Sequence, residues 1–255
     1  FAHLEKLSEK DPSLALAAAK ELWAVQEKTL ITQDKITLLT KIVQYNYFMG
    51  DVEQGLQFVE QAYALKPDYT NDTGILLLMT HGLLLMNKEE YEQAIVLYRQ
   101  AEKNAITAEN NKRLAETYSS IAGYYSSQYD NIQALKFFHQ AYVLIEQLNN
   151  ELDMMYLKSQ MTSVYSNIHD HETAIKLGNE ALQYFIKREF YFDALFVQNE
   201  LANSYYKTKN FHKAIKAFEK ISDLKVNYTI EGRRAGDIEK IYADNTIGTY
   251  KVVKK

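Results

Sequence analysis

Tyr91-Glu-Gln-Ala-Ile-Val-Leu-Tyr98 has a counterpart one period on, Ile132-Gln-Ala-Leu-Lys-Phe-Phe138, built around the same small residue. That residue belongs to a series. Ala15, Gly55, Ala94, Ala134, Ala174 and Ala214 stand 40, 39, 40, 40 and 40 positions apart, each near the start of an amphipathic stretch. A fixed period of this size marks a stack of like units, each burying its apolar face against its neighbours.

Counting from each anchor recovers the rest of the unit. Four residues after it come Val59, Tyr98, Phe138, Gly178 and Phe218; seven after it come Ala62, Ala101, Ala141, Ala181 and Ile221. These share one face of a helix. Nine before the anchor come Asn46, Leu85, Tyr125, Tyr165 and Tyr205. Twelve before it come Val43, Gly82, Ala122, Thr162 and Ala202, and thirteen before it Ile42, His81, Ile121, Met161 and Leu201. Each unit therefore reads as two helices joined by a tight turn, with small residues facing each other where the helices approach. The turns read as Met49-Gly-Asp51, Asn87-Lys-Glu89, Tyr129-Asp-Asn131, His169-Asp-His171 and Lys209-Asn210. Their Asp and Asn side chains are placed to accept bonds from the free N–H groups of the next helix. Asp11-Pro12 reads as a cap followed by proline at the first helical position.

This pattern resembles the tetratricopeptide repeat (TPR): small at twelve before, Tyr at nine before, Ala at the anchor, aromatic at four after, Ala at seven after. Pro67 matches the proline that commonly ends such a unit. The resemblance covers about residues 11–224, as five full units and a leading half. It departs in its period, near 40 where the family has 34, and at Gly55, Asn46 and Gly178. It implies an all-α fold, a right-handed superhelical solenoid of antiparallel helix pairs. The expected organisation is a repeat array over 1–224 and an atypical C-terminal cap or tail over 225–255, since terminal units must cover an apolar end.

The totals suit this reading. Two prolines and nine glycines in 255 residues fit helices joined by short turns. A net charge of −4, spread along the chain, leaves no basic face for nucleic acid. No cysteine is present, so disulfides and thiolate chemistry are excluded. Gly74–Met86 is the longest apolar stretch, but Thr80 and His81 interrupt it and it falls short of the roughly 20 residues of a membrane span. The chain opens at Phe1 within what reads as a helix, and is expected to be a fragment or a processed form.

The resemblance also implies that ligands lie on the concave surface lined by the first helices. Positions 18, 15, 11 and 8 before the anchor point there. They are Thr37, Thr40, Gln44 and Tyr47; Leu76, Met79, Leu83 and Met86; Glu116, Ser119, Gly123 and Ser126; Tyr156, Ser159, Ser163 and Ser166; and Phe196, Asn199, Asn203 and Tyr206. The candidates for binding are Gln44, Tyr47, Glu116, Ser119, Tyr156, Ser159, Ser163, Asn199, Asn203 and Tyr206. Asn offers a donor and an acceptor to a peptide backbone, and Tyr gives wide contact at little entropic cost. Paired cations for a terminal carboxylate are missing; Lys41 and Lys207 come nearest and lie far apart in the array.

No constellation for catalysis, metal or cofactor emerges. Gly-x-Ser-x-Gly, the phosphate loop and His-Glu-x-x-His are absent. His169-Asp-His171 lacks the further converging ligands of a metal site, and Asp170 reads as a helix cap. His81, on a packing offset, reads as a buried and hydrogen-bonded histidine. Gly232-Arg-Arg-Ala-Gly-Asp237 with Tyr242-Ala-Asp244 resembles a short segment of nucleotide-sugar epimerases, in which Arg234 and Asp237 would approach the nucleotide; the glycine-rich dinucleotide turn of that family is missing.

The expected function is a non-catalytic protein- or peptide-binding module without a cofactor. Its forty-residue units and many tyrosines resemble the sensory or regulatory part of bacterial signalling proteins. The opening Leu4-Glu-Lys-Leu-Ser-Glu-Lys-Asp-Pro-Ser-Leu-Ala-Leu16 is similar to extracytoplasmic input domains, which favours a periplasmic sensor over a cytoplasmic one. The alternatives are an assembly scaffold or co-chaperone, and a cytoplasmic receptor for short signalling peptides. Homodimers through terminal repeats are a further expectation.

Overall fold

The computed structural model describes residues 1–10 and 12–230. The described residues form twelve helices and no strand. A leading pair, α1 (Ala2–Lys10) and α2 (Pro12–Gln26), is followed by α3 (Thr32–Met49) and α4 (Val52–Ala64), then α5 (Asp72–Asn87) and α6 (Tyr91–Thr107). The remaining pairs are α7 (Asn111–Ser127) with α8 (Asn131–Gln147), α9 (Glu151–Asn167) with α10 (His171–Lys187), and α11 (Tyr191–Lys207) with α12 (Phe211–Ile230). Each helix packs on the next along the chain. The odd-numbered helices from α3 to α11 also pack on one another. That closer approach makes theirs the inner, concave side of an all-α solenoid.

The anchor series forms the seam. Ala15, Ala94, Ala134 and Ala174 have no exposed surface and Ala214 is 3% exposed. Facing them, Val43, Ala122, Thr162 and Ala202 are equally buried. Gly178, which stands where the other units carry an aromatic, is closed over by the Leu201 side chain: a Cβ there would lie 2.8 Å from Leu201 Cδ2. Polar residues enter this core by bonding within their own helix. Thr40, Thr80, Thr117 and Thr162 each donate to the carbonyl four residues back, which removes the cost of burying a hydroxyl.

The backbone repeats at half the sequence period. Helices α6 to α11 are each 17 residues long, and three residues separate one from the next. In each of these turns, and in the α5–α6 and α11–α12 turns on either side, the middle residue is left-handed: Glu89, Glu109, Tyr129, Asn149, His169, Glu189 and Lys209, at φ between 51° and 65°. The following N–H reaches back to a carbonyl five residues earlier, as from Asp130 to Tyr125 at 2.9 Å and from Phe190 to Phe185 at 2.9 Å. This is the Schellman closure of a helix. The next residue then caps the following helix: Asn110, Asp130, Asn150, Asp170 and Asn210 accept from the N–H three positions on. Turns within a unit and turns between units are the same device. The five-residue link over 27–31 departs from it, and so does the end of α4. Helix α4 has 13 residues, and a seven-residue link over 65–71, with Pro67 buried, makes up the missing length.

None of these left-handed residues is glycine, although glycine would occupy that region without the steric cost of a Cβ. Tyr129 is 84% exposed, so its side chain contributes little packing. Tyr129→Gly is therefore expected to stabilise the fold by about 0.5–1 kcal/mol, read as a rise in the urea midpoint without a change in slope.

Candidate functional site

The inner helices enclose a groove of about 1100 Å³ that runs from α3 to the start of α11. Its apolar part is walled by Tyr47 on α3 and by Leu76, Met79, Leu83 and Met86 on α5. Toward α7 and α9 it becomes polar, lined by Arg113, Glu116, Ser119, Gly123, Ser126, Asp153, Tyr156 and Ser159. Asp193 and Phe196 on α11 close it, together with Arg188, Glu189 and Phe190 of the preceding turn.

Six of the ten candidates line this groove: Gln44, Tyr47, Glu116, Ser119, Tyr156 and Ser159. Ser163, Asn199, Asn203 and Tyr206 are not among its lining residues. Ser163 is bonded to Glu200, whose carboxyl burial raises above its ordinary value. Thr40 and Ser166, which share the same spacing, are buried in the helix packing at 1% and 2% exposure. The offsets reach the groove on part of each inner helix, and on α11 Phe196 alone of the four lines it. Lys41 does not face a ligand. It is 8% exposed and its Nζ is 2.6 Å from Glu5 Oε1, which ties α1 to α3. His81 is bonded through Nδ1 to Tyr63 Oη at 2.8 Å, and burial lowers its pKa, so it sits neutral between α4 and α5. Asp170 caps α10, and among the described residues no three His, Asp or Glu converge on one point.

The polar segment is organised by Arg113, whose sequence position carried no signal beyond standing three before Glu116. Its guanidinium donates through Nε and Nη2 to both oxygens of Asp72, at 2.8 and 2.7 Å, and through Nη1 to Glu116 Oε2 at 2.6 Å. Burial works against its charge, but these bonds outweigh it and its pKa is raised. Asp72, held chiefly by the Arg113 bond, is lowered. Glu116 is raised, because burial outweighs the Arg113 attraction, and Asp153 is raised by burial as well. The hydroxyls of Ser119, Ser120 and Ser159 donate to carbonyls of their own helices, at 3.2, 3.1 and 2.7 Å. A hydroxyl already donating presents only its lone pairs to the groove.

Further lining residues come from the even-numbered, outer helices: Pro12 and Leu14 on α2, Tyr98 on α6, and Phe138 and Ile145 on α8. Tyr98 on α6 and Phe138 on α8 reach between the inner helices to the groove. Tyr98 passes because residue 82 is glycine: a Cβ there would lie 2.4 Å from Tyr98 Cε1. A glycine in the middle of an apolar helix was the signal available for this crossing.

This architecture matches solved structures over most of its length. A Rap protein in complex with competence and sporulation factor superposes with a TM-score of 0.68, at 14% identity, over 88% of this chain and 72% of that one. A signal-transduction ATPase with a tetratricopeptide-repeat sensor, from Pyrococcus horikoshii, superposes with a TM-score of 0.61, at 12% identity, over 94% of this chain and 40% of that one. The chain has the tetratricopeptide-repeat fold. No protein-family model matches it. A separate likeness is local: 38 residues are 53% identical to UDP-glucose 4-epimerase of Drosophila melanogaster, which is 15% of this chain and 11% of that enzyme. The epimerase-like Arg234 and Asp237, and residues 231–255 of the expected C-terminal cap or tail, lie outside the described residues. Among the described residues of this TPR solenoid, no helix is long and apolar enough to cross a membrane.

Proposed function

We propose that this TPR solenoid is a non-catalytic module that binds a peptide or an extended protein segment along its concave groove, as the sensory or regulatory part of a signalling protein. The observation that carries this reading is the continuous cavity of about 1100 Å³ across five inner helices. A cavity apolar at one end and polar at the other, with a few fixed hydrogen-bonding groups, suits a short peptide with mixed side chains. The groove serines offer acceptors for peptide N–H groups, and the α5 wall offers Leu and Met side chains that repack around apolar ones. The likeness to a Rap protein complexed with competence and sporulation factor favours the receptor for short signalling peptides over the scaffold or co-chaperone. The likeness to a signal-transduction ATPase with a TPR sensor supports an input role. The extracytoplasmic form of such an input domain rests on its opening residues alone. Pairing of two copies through their ends remains part of the proposal, to be read from the molar mass in solution.

The test is selection of a random decapeptide phage library on the whole chain, followed by affinity measurement with the best synthetic peptide. Tyr156→Ala removes an aromatic wall of the groove and is expected to weaken binding about tenfold, a typical cost of truncating an aromatic contact residue. Asn199→Ala and Asn203→Ala, outside the cavity, are expected to leave affinity unchanged. Equal losses in all three would relocate the ligand toward α11. A library that yields no groove binder would overturn the reading.

A further inference from the structure

We infer that the middle of the groove, where α5 faces α7, is built to hold a peptide main chain, with the Tyr98 hydroxyl as its hydrogen-bonding group and Gly123 as the place where that chain lies against the helix. This rests on the peptide-binding reading above and names the part of the groove that does the gripping. Two independent features of the groove lining carry it, and each forgoes stability that the fold could have had.

The first is Tyr98. The equivalent residue one unit on is Phe138, which is 2% exposed and also lines the groove. Phenylalanine thus performs the packing role by itself. Tyr98 adds a hydroxyl, has no exposed surface, and its Oη has no hydrogen-bond partner among the described residues. Burial holds the phenol well above its ordinary pKa, so it stays a neutral O–H donor. A buried polar group without a partner destabilises the free protein, and such a group calls for a ligand or another occupant to satisfy it. Glycine at 82 is what lets this ring reach the groove.

The second is Gly123. It lies inside α7, away from either end, and its backbone is not left-handed, since Gly50 is the glycine with positive φ. A Cβ at Gly123 would meet no atom within 4 Å. Neither backbone conformation nor packing requires glycine there, and in a helix interior glycine is less stable than alanine. Gly123 lines the groove at the position that Leu83, the neighbour of Gly82, holds on α5. A bare stretch of helix facing a cavity allows the close approach of another backbone.

The surroundings complete the chemistry. Tyr47, Met79, Leu83 and Met86 form apolar walls that take side chains. Ser119, whose own hydroxyl proton is committed to Ala115 O, presents lone pairs to a peptide N–H. A ligand carbonyl accepts from Tyr98 Oη and a ligand N–H donates to Ser119 Oγ, so a main chain with apolar side chains fits.

The experiment uses the whole chain, with the library-selected decapeptide as probe. Tyr98→Phe and Gly123→Ala are each expected to raise the melting temperature by about 2–4 °C, while weakening peptide affinity about five- to tenfold. Gly123→Leu, which fills the open space, is expected to abolish binding while the chain stays folded. If Tyr98→Phe lowers the melting temperature, its hydroxyl is already satisfied in the free protein and the inference fails. If Tyr156→Ala weakens binding but Tyr98→Phe and Gly123→Ala do not, the inference fails and the peptide-binding reading stands. If no decapeptide binds, both fail.

Discussion

Gly74→Ala is expected to destabilise the protein by about 3 kcal/mol, the upper end of what overpacking a well-packed site costs. The added Cβ would lie 2.0 Å from the carbonyl oxygen of Asp68 and 2.7 Å from Tyr69 Cα. Both are backbone atoms, which cannot swing aside as a side chain end can. The link that carries them is also held in place. Asp68 Oδ1 accepts from Thr70 N at 2.8 Å, Asn104 Nδ2 donates to Tyr69 O at 2.9 Å, and the Tyr69 ring meets Tyr63 edge to face. Asn71 caps the helix by accepting from Gly74 N itself, at 2.9 Å. Any retreat of the link breaks one of these. The measurement is urea unfolding, read against Gly123→Ala, the same chemical change with the opposite expected sign. A Gly74→Ala protein as stable as the parent would show that the 65–71 link does not lie over α5.

Arg113→Ala is expected to cost about 2 kcal/mol at pH 7. Removing one partner of a buried ion pair is strongly destabilising, because the charge left behind loses its compensation. The figure is reduced here because Asp72 is 56% exposed and its charge is screened by water. Glu116, at 28% exposed, is the carboxylate left in difficulty. Its pKa is already raised by burial and rises further once the guanidinium is gone. Between the ordinary carboxylate value and that raised one, the folded state keeps a proton that the unfolded state has released. Stability therefore falls as pH rises through this window and is regained as pH falls. The loss caused by Arg113→Ala should thus be smaller at pH 5 than at pH 7. Asp72 does not confuse the comparison. Its pKa is lowered, so its contribution is lost only below the ordinary carboxylate range. Urea midpoints of both proteins at the two pH values test this, and an equal loss at both would mean that Glu116 is not the stranded charge.

Both predictions concern residues that the repeat pattern left unmarked. The periodicity reports what every unit has in common. Gly74 and Arg113 are particular to one unit and fall on none of the counted offsets; Tyr98 and Gly123 fall on counted offsets, but what sets them apart from their counterparts is particular to one unit. The same limit explains the candidate site. Facing positions were legible because a helix sends residues three, four and seven apart to one side. Six of the ten candidates do line the groove. Where the groove ends was not legible, because that depends on how each inner helix leans on the next. Nor was the arrival of Tyr98 and Phe138 from the outer layer, which needs the gap between two inner helices.

The chain's sequence alone determined the kind of molecule. A small residue every 40 positions, with matching small and aromatic residues at constant offsets, admits stacked helix pairs because only close-packed neighbours can bury such a face. Only the tertiary structure decided the rest. The two helices of a unit carry different side chains, so the sequence repeats at 40, yet both end in the same left-handed turn and the backbone repeats at 20. That regular backbone brings five inner helices side by side and makes a single groove of their separate faces. The groove's chemistry then follows from which side chains find partners across helices, as Arg113 does with Asp72, and which, like the Tyr98 hydroxyl, find none.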